Sequence, residues 1–205
     1  MFDRNGIWRL RDTNGDGEAD VHELFTNAFE QTLTLNEYSN TMKLAPDGSF
    51  IIAKKSPRQV IDGPGNGTVL RLSPDGRTST ILGWGFRQPF IGVDPVTGMV
   101  TASDQEGNYV PATPLYQVRG GTYHGFLAPP APKEQYPAPI DPPLTWIPRT
   151  GSASGVTQVW LRNARMGPLN DALIYVSYKA ERLPRPAGHA FRCDADAGRV
   201  AARGG

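Results

Sequence analysis

Apolar residues occur along the chain in short bursts, most of them alternating with polar ones, and Gly, Pro, Asp or Asn fence each burst. A period of two places alternate side chains on opposite faces of a strand, and the fencing residues favour turns. The strands predicted in this way cover residues 6–10, 50–53, 68–72, 80–82, 99–102, 115–118, 156–161 and 172–177. Only residues 21–33 have a mixed spacing that fits a helical turn. The pattern predicts an all-β chain.

The strands and turns repeat along the sequence. Residues 44–51 and 93–100 both read as a strand, a Pro-containing turn that ends in Gly, and a second strand. They lie about 49 residues apart, and a second matching pair, residues 67–72 and 114–118, follows at a similar offset. A period of about 40–50 residues with four short strands per unit is typical of β-propeller blades. The alternative is a β-sandwich with accidental similarity between its turns.

The number of units predicts that the propeller is incomplete. A chain of 205 residues holds about three to four such blades. Closed propellers have about four to eight, and an open one exposes strand edges. We therefore expect residues 1–180 to form part of a propeller.

Two segments depart from the blade pattern. Residues 127–155 are rich in proline and are predicted to form a long loop between strands, with a polyproline ligand as the alternative. Residues 181–205 are rich in Arg, Ala, Gly and Pro, and Pro184 and Pro186 stand where a sheet would need amide donors. We expect this tail to be irregular, either as a disordered segment or as the product of an out-of-frame translation.

Composition excludes several classes of function. The formal net charge of +1 provides no excess of positive charge for binding nucleic acid. A single cysteine, Cys193, rules out an internal disulfide and a cysteine-based zinc cluster. The first residues do not form a signal peptide, and no run of about 18 apolar residues predicts a membrane span. The 23 glycines and 19 prolines fit many tight turns.

Residues 12–23 carry a motif with recognisable chemistry. They match D-x-[DN]-x-[DN]-G-x5-E, the pattern of calcium-binding loops. Calcium is a hard cation that takes six to eight oxygen ligands. The predicted ligands are Asp12, Asn14, Asp16, the carbonyl of Glu18, Asp20 and both carboxylate oxygens of Glu23. Without a cation, so many carboxylates would repel one another.

The flanks of this motif favour a hairpin over a helix pair. Residues 6–10 before it resemble residues 67–72, which lead into an ordinary turn at 73–76. We therefore predict an enlarged hairpin turn in which calcium stabilises a blade. The alternative is a turn rich in Asn, Asp and Gly that binds no metal.

Several segments together resemble a known family. They are the calcium motif after a strand, residues 83–94 with Gly-Phe-Arg-Gln-Pro-Phe, residues 101–109, and residues 120–125. The chain from about residue 6 to residue 178 resembles the glucose/sorbosone dehydrogenase-like propellers, the soluble quinoprotein type. Gln88 stands where the family's Gly-x-Arg-Asn-Pro turn has Asn.

The resemblance implies a six-bladed propeller that binds pyrroloquinoline quinone and calcium, oxidises a sugar or polyol, and lies in the periplasm or outside the cell. Arg87 matches the arginine that reaches the quinone, and Asp104 begins the loop near the cofactor calcium. An arginine can bind a carboxylate or quinone oxygen with two donors. The alternative is that Arg87 holds a blade junction by pairing with an aspartate.

The histidines do not complete this site. The family's catalytic histidine has no counterpart here, and none of His22, His124 and His189 is placed as a base. We therefore expect a piece of a quinoprotein dehydrogenase-like propeller that is not catalytically competent alone. The second hypothesis is a calcium-stabilised propeller that binds carbohydrate or protein without redox chemistry. Trp84, Tyr109, Tyr116 and Tyr123 could stack on sugars in either case, with blade core as the alternative role.

Overall fold

The computed structural model describes residues 1–3, 5–29, 39–56, 65–106, 110–126, 139–149, 152, 154–163 and 165–177, together with the backbone of 188–194 and 199–202. Within these ranges the regular elements are sixteen β-strands and one 3-10 turn, Gly167–Leu169. No helix in the described part has the length and apolarity needed to span a bilayer. The all-β prediction is confirmed.

The strands form four sheets that follow one another along the chain, here called blades I to IV. Blade I contains β1 (Phe2–Asp3), β2 (Gly6–Arg11) and β3 (Val21–Thr26). Blade II contains β4 (Ser39–Leu44), β5 (Phe50–Lys54), β6 (Thr68–Leu72) and β7 (Ser79–Trp84). Blade III contains β8 (Phe90–Val93), β9 (Val100–Ser103), β10 (Thr113–Val118) and β12 (Thr145–Ile147). Blade IV contains β13 (Gly155–Trp160), β14 (Ala172–Ser177), β15 (Gly188–Asp194) and β16 (Arg199–Ala202).

The first strands of blades II, III and IV lie side by side, because β8 packs against both β4 and β13. Side chains join them directly. Asn40 Nδ2 donates to the carbonyl of Pro89 at 2.6 Å, and Gln158 Nε2 donates to that of Phe90 at 2.7 Å. Within each of these blades the other strands follow outward in antiparallel order. This is the arrangement of propeller blades around an axis, so the predicted fold class is confirmed.

Three hydrophobic layers fill the spaces between the four blades. Neighbouring residues of one strand enter different layers, since successive side chains point to opposite faces. Ile51 packs towards blade III and Ile52 towards blade I, and both are almost completely buried. In blade III, Tyr116 packs towards blade II and its neighbour Leu115 packs towards blade IV. Inner blades are therefore buried on both faces, which is why their sequences read as apolar runs.

The predicted repeat has a structural basis. Residues 45–49 join β4 to β5, and residues 94–99 join β8 to β9, so each turn links the first two strands of its blade. A main-chain hydrogen bond spans each turn: Ala45 N–H donates to Ser49 O at 2.8 Å, and Asp94 N–H donates to Met99 O at 2.9 Å. The second matched pair, β6 and β10, occupies the third position of blades II and III.

Two expectations about irregular segments were wrong in part. Residues 21–26 form β3 and not a helical turn, because β2 offers a complete antiparallel partner. The Pro-rich stretch 127–155 contains β12, which pairs with β10 and completes blade III. Its proline-dense first part, residues 127–138, lies outside the described residues.

The tail also differs from the expectation at two places. The backbone of β15 pairs with β14, and β16 pairs with β15, so both belong to blade IV. Pro184 and Pro186 precede β15 and therefore remove no donor from its ladder. The exposed edge of β14 offers main-chain donors and acceptors to any neighbouring strand, whatever its side chains. The tail sequence lacks alternating apolar residues, and for this reason the strand was not predicted. The other tail residues lie outside the described ranges.

Candidate functional site

The turn that carries Arg87 links the last strand of blade II to the first strand of blade III. Gly85 opens it with φ of +83°, a conformation that favours glycine. Phe86 is fully buried, and its N–H donates to Gly67 O at 3.0 Å. The carbonyl of Arg87 accepts from Ser56 N–H at 2.9 Å. The turn is therefore fixed on both sides of the half-buried Arg87.

Asp104, directly after β9, holds the same turn from blade III. Its Oδ2 accepts from the main-chain N–H of Arg87 at 2.7 Å, and its Oδ1 accepts from that of Gln88 at 2.6 Å. Gln105 N–H also donates to Oδ1, at 2.8 Å. The residue is 2% exposed. Burial raises the pKa of Asp104 to about 6, although the three amide donors act in the opposite direction.

The guanidinium of Arg87 is tied to the segment after Asp104. It donates to the carbonyl of Glu106, whose carboxylate receives Arg149 Nε at 3.0 Å. Gln105 Nε2 donates to Ser154 Oγ at 2.5 Å. These contacts connect the Arg87 turn to the linker that leads into blade IV. The sequence carries no signal that distinguishes Glu106 or Arg149.

These contacts separate the roles of the two residues taken from the family resemblance. The carboxylate of Asp104 is buried and accepts from main-chain donors, so it positions the turn, and a cofactor-binding role for it stays a prediction. It also joins blades II and III, a role that the sequence offered to Arg87 as an alternative. Of these two residues, Arg87 is the one suited to bind an anionic ligand, since a guanidinium carries five N–H donors in a planar fork.

A polar patch that sequence analysis missed lies beside this turn. Ser39 Oγ, Asn40 Oδ1 and Thr41 Oγ1, at the start of β4, are buried and have no hydrogen-bond partner in the described part of the chain. Asn40 also donates to Pro89 O, two residues from Arg87. Buried oxygens of this kind are normally paired with protein, water or ligand. The run of three small polar residues on a first strand is the signal that was available.

The predicted calcium loop is the turn between β2 and β3. Asp12 accepts from Gly15 N–H at 2.6 Å and from Gly17 N–H at 2.9 Å. These amide donors lower the pKa of the Asp12 carboxyl. Asn14 Nδ2 donates to Asp16 Oδ2 at 3.0 Å and to Asp20 Oδ1 at 3.2 Å. Three carboxylates are therefore gathered around one small loop.

The remaining predicted ligands fit the loop less well. Glu18 contributes its N–H to Asp16 Oδ1 at 2.8 Å. Glu23 lies on β3, opposite Arg9, and its Oε2 pairs with Arg11 Nη2 at 3.2 Å and Arg9 Nη1 at 3.8 Å. The described residues contain no group of three or more His, Cys, Asp or Glu side chains arranged as a metal centre. Calcium binding by Asp12, Asn14, Asp16, Glu18, Asp20 and Glu23 therefore stays a prediction, and Glu23 is engaged by Arg11 and Arg9.

The two histidines with described side chains occupy different environments. His22 is exposed on β3. His124 is 1% exposed, stacks on Phe86 with ring centroids 4.4 Å apart, and has Nε2 2.9 Å from Thr122 Oγ1. Burial lowers the pKa of His124 to about 4. Only the backbone of His189, in β15, is described.

Several solved structures share this fold. A soluble aldose sugar dehydrogenase from Escherichia coli, in the apo form, matches 96% of the chain with a TM-score of 0.69 and 14% identity. A glucose dehydrogenase-type putative oxidoreductase from Thermus thermophilus matches 95% with a TM-score of 0.61 and 16% identity. The quinone-bound aldose sugar dehydrogenase from Streptomyces coelicolor matches 80% with a TM-score of 0.53 and 13% identity.

At these identities the similarity concerns the fold. The chain spans 62%, 59% and 49% of the lengths of these three proteins. No protein-family profile and no curated protein sequence matches it. The predicted resemblance to soluble sugar dehydrogenases is confirmed as a shared propeller fold.

Proposed function

We propose that this chain is part of a quinoprotein sugar or alcohol dehydrogenase-type propeller, in which Arg87 binds the cofactor. The observation that carries the proposal is the turn held by Asp104, which fixes Arg87 beside the first strands of the blades. The shared fold with sugar dehydrogenases, one of them quinone-bound, supports it. By the same resemblance we propose a periplasmic or extracellular location.

The chain's own residues would contribute binding and orientation. Pyrroloquinoline quinone, when bound, supplies the hydride acceptor for oxidation of an alcohol. The Arg87 guanidinium would hold an anionic oxygen of the cofactor with two donors. Asp104 would keep the Arg87 main chain in place, and the oxygens of Ser39 and Thr41 would accept or donate to polar groups nearby. A sugar or polyol is the substrate class that this proposal assigns.

We further propose that the chain alone does not turn over substrate. His22 is exposed on β3, in the hairpin of blade I. The imidazole of His124 is enclosed by Phe86, Tyr116 and Thr122. A general base must reach the proton that it removes, within about 3 Å or through one water. The exposed position of His22 and the enclosure of His124 therefore support the proposal that this chain lacks the general base.

Calcium at the loop of residues 12–20 is proposed as a structural element. Asp12, Asn14, Asp16 and Asp20 would provide oxygens, and the Asp12 contacts to Gly15 and Gly17 already fix the loop's shape. Thr26, at the other end of β3, donates to Gly76 O of blade II at 2.5 Å. A cation at the loop would therefore stabilise a hairpin whose base is anchored on the next blade.

The second candidate is a calcium-stabilised propeller that binds carbohydrate or protein without redox chemistry. Asp104 favours it, because a carboxylate saturated by main-chain amides performs a structural task without any cofactor. The two candidates differ in one measurable property, which is affinity for the quinone.

Quinone binding tests the proposal. We expect pyrroloquinoline quinone to quench the chain's tryptophan fluorescence in a saturable way, and Arg87→Ala to weaken binding by roughly tenfold or more. Arg119→Ala is the matched control, since Arg119 is exposed and contacts Gln117. Binding that is absent, or equal in both variants, would favour the non-redox candidate. Turnover of glucose with a dye acceptor would contradict the incomplete site.

A further inference from the structure

A short strand crosses from blade III to the outer edge of blade II. β11 (Thr122–Tyr123) lies between β10 and β12 in sequence, yet it pairs in parallel with β7. Gly121 N–H donates to Leu82 O at 2.9 Å, and His124 N–H to Trp84 O at 2.8 Å. We call this segment the strap. It adds a fifth strand to blade II and covers the edge of β7.

A cleft of about 380 Å³ opens beside the strap. Its lining comes from three places: Trp84 at the end of β7, residues 121–123 of the strap, and residues 139–142 before β12. The volume falls in the usual range for small-molecule sites, about 300–1,000 Å³. We call it the strap cleft.

One wall of the strap cleft is an aromatic platform. Trp84 and Tyr123 face each other in register, with ring centroids 4.5 Å apart. Tyr123 is 5% exposed, whereas Trp84 keeps 37% of its surface accessible. The Tyr123 ring lies so close to Gly85 that a Cβ there would approach it to 2.4 Å. The indole of Trp84 is thus held by a fixed neighbour and remains partly accessible.

The wall formed by residues 139–142 carries one charged group, Asp141. Asp141 N–H donates to Tyr123 O at 2.8 Å, so this segment is bonded to the strap. Pro139 and Pro142 fix φ on either side of it. The Asp141 carboxylate accepts no hydrogen bond and forms no ion pair among the described residues. The hydroxyl of Tyr123 is buried and also has no partner there.

We propose that the strap cleft binds the ring of a neutral sugar. An indole face suits the apolar C–H face of a pyranose, and a nearby carboxylate and hydroxyl suit its ring hydroxyls. A quaternary ammonium would need aromatic faces around it, but Trp84 and Tyr123 pack on each other and offer one face. Among the described residues that line the cleft there is no lysine or arginine, which argues against a phosphate ligand.

This site is separate from the proposed quinone site. The two sites are neighbours along the chain, since Trp84 precedes Arg87 by three residues and the Tyr123 ring lies against Gly85 of the Arg87 turn. The lining of the strap cleft nevertheless contains neither Arg87 nor any residue of β4. The strap cleft lies at the outer rim of that sheet and shares no residue with the Arg87 turn. Sugar binding at the rim therefore does not rest on the proposed redox function, and it is measured without quinone.

Saturation-transfer NMR with methyl α-glucoside and maltotriose tests the inference on the whole chain. We expect saturable, roughly millimolar binding, since one stacked ring and few polar groups make the contact. Trp84→Ala and Asp141→Ala should each weaken it by about tenfold or more. Trp146→Ala is the control, because Trp146 is 45% exposed on β12 and does not line the cleft. Thermal unfolding of each variant checks its fold.

Three results would overturn the proposal. The first is the absence of transfer to either sugar well above the millimolar range. The second is equal loss with Trp146→Ala, which would indicate non-specific contact with exposed indoles. The third is tighter binding of tetramethylammonium than of either sugar, which would identify a cation site. Asp141→Ala keeps the test valid if Trp84→Ala fails to fold, since Asp141 is partly exposed and lies outside the strands.

Discussion

Arg162 and Asp94 form a two-pronged ion pair that locks blade IV to blade III. Arg162 Nε lies 3.1 Å from Asp94 Oδ1, and Arg162 Nη2 lies 2.5 Å from Asp94 Oδ2. Asp94 is completely buried, and it belongs to the turn between β8 and β9. Arg162 follows β13 and also reaches Asp171 at 3.3 Å. The pair raises the pKa of Arg162, so the charge persists at any ordinary pH.

Arg162→Ala is expected to lower the free energy of unfolding by about 3 kcal/mol, because it leaves the buried Asp94 carboxylate without its counter-charge. Chemical denaturation measures this change. Arg77→Ala is the control: its ion pair with Asp75 is exposed, so the variant should stay within about 0.5 kcal/mol of the parent. Equal effects of the two variants would contradict the role of the blade junction.

Asp104→Ala is expected to weaken quinone binding to the same degree as Arg87→Ala, because the Asp104 carboxylate holds the turn that carries Arg87. The substitution leaves the main-chain N–H groups of Arg87 and Gln88 without an acceptor, and each unpaired buried donor costs about 1–3 kcal/mol of stability. The turn is then no longer held in place. Asp104→Asn keeps one acceptor oxygen and should lie between parent and Asp104→Ala. Binding by Asp104→Ala that equals the parent would refute the positioning role.

Calcium binding at the loop of residues 12–20 should be stoichiometric by calorimetry and lost in Asp16→Ala. Arg11→Ala should bind calcium more tightly than the parent, since it releases Glu23 from its ion pair and removes a positive charge nearby. Arg77→Ala again provides the control. If the parent gives no heat with millimolar calcium, the loop is a metal-free turn.

Two buried groups should oppose each other in the pH dependence of stability. The folded-state pKa of His124, about 4, lies below its ordinary 6.5, so the unfolded chain binds more protons between these values. Stability is therefore lost as pH falls through this window, by up to about 3 kcal/mol. The pKa of Asp104, about 6, lies above its ordinary 3.8, so its contribution is lost as pH rises towards 6.

Denaturation of two variants between pH 4 and 6.5 separates these contributions. His124→Phe should become less stable relative to the parent as pH rises, since it loses only the His124 contribution. Asp104→Asn should show the reverse slope. Contributions from other groups cancel in the difference from the parent. Identical slopes for parent and both variants would show that neither group is linked to folding.

Deletion of residues 188–205 should destabilise blade IV, because β15 pairs with residues 172–176 of β14. Hydrogen exchange provides the measurement in both chains. Amides of β15 should be protected in the intact protein, and those of β14 should exchange faster after the deletion. Fast exchange throughout β15 in the intact chain would restore the expectation of an irregular tail.

Local pattern determined much of this protein. Turn residues and alternation placed eight strands and the repeat between residues 44–51 and 93–100, because both signals depend on neighbours in sequence. The motif of residues 12–23 was predicted to be an enlarged hairpin turn for the same reason, and the structure has the turn between β2 and β3. Its metal binding stays a prediction.

Contacts between distant segments were decided only by the tertiary structure. Glu23 matched a motif by spacing, but the register of β2 and β3 sets it opposite Arg9 and beside Arg11. Asp104 became a buried acceptor because blade III folds against the end of blade II. β15 pairs through its backbone, and pairing with an open edge needs no side-chain pattern. Charge partners, burial and edge pairing depend on the packing of whole blades, which no local pattern encodes.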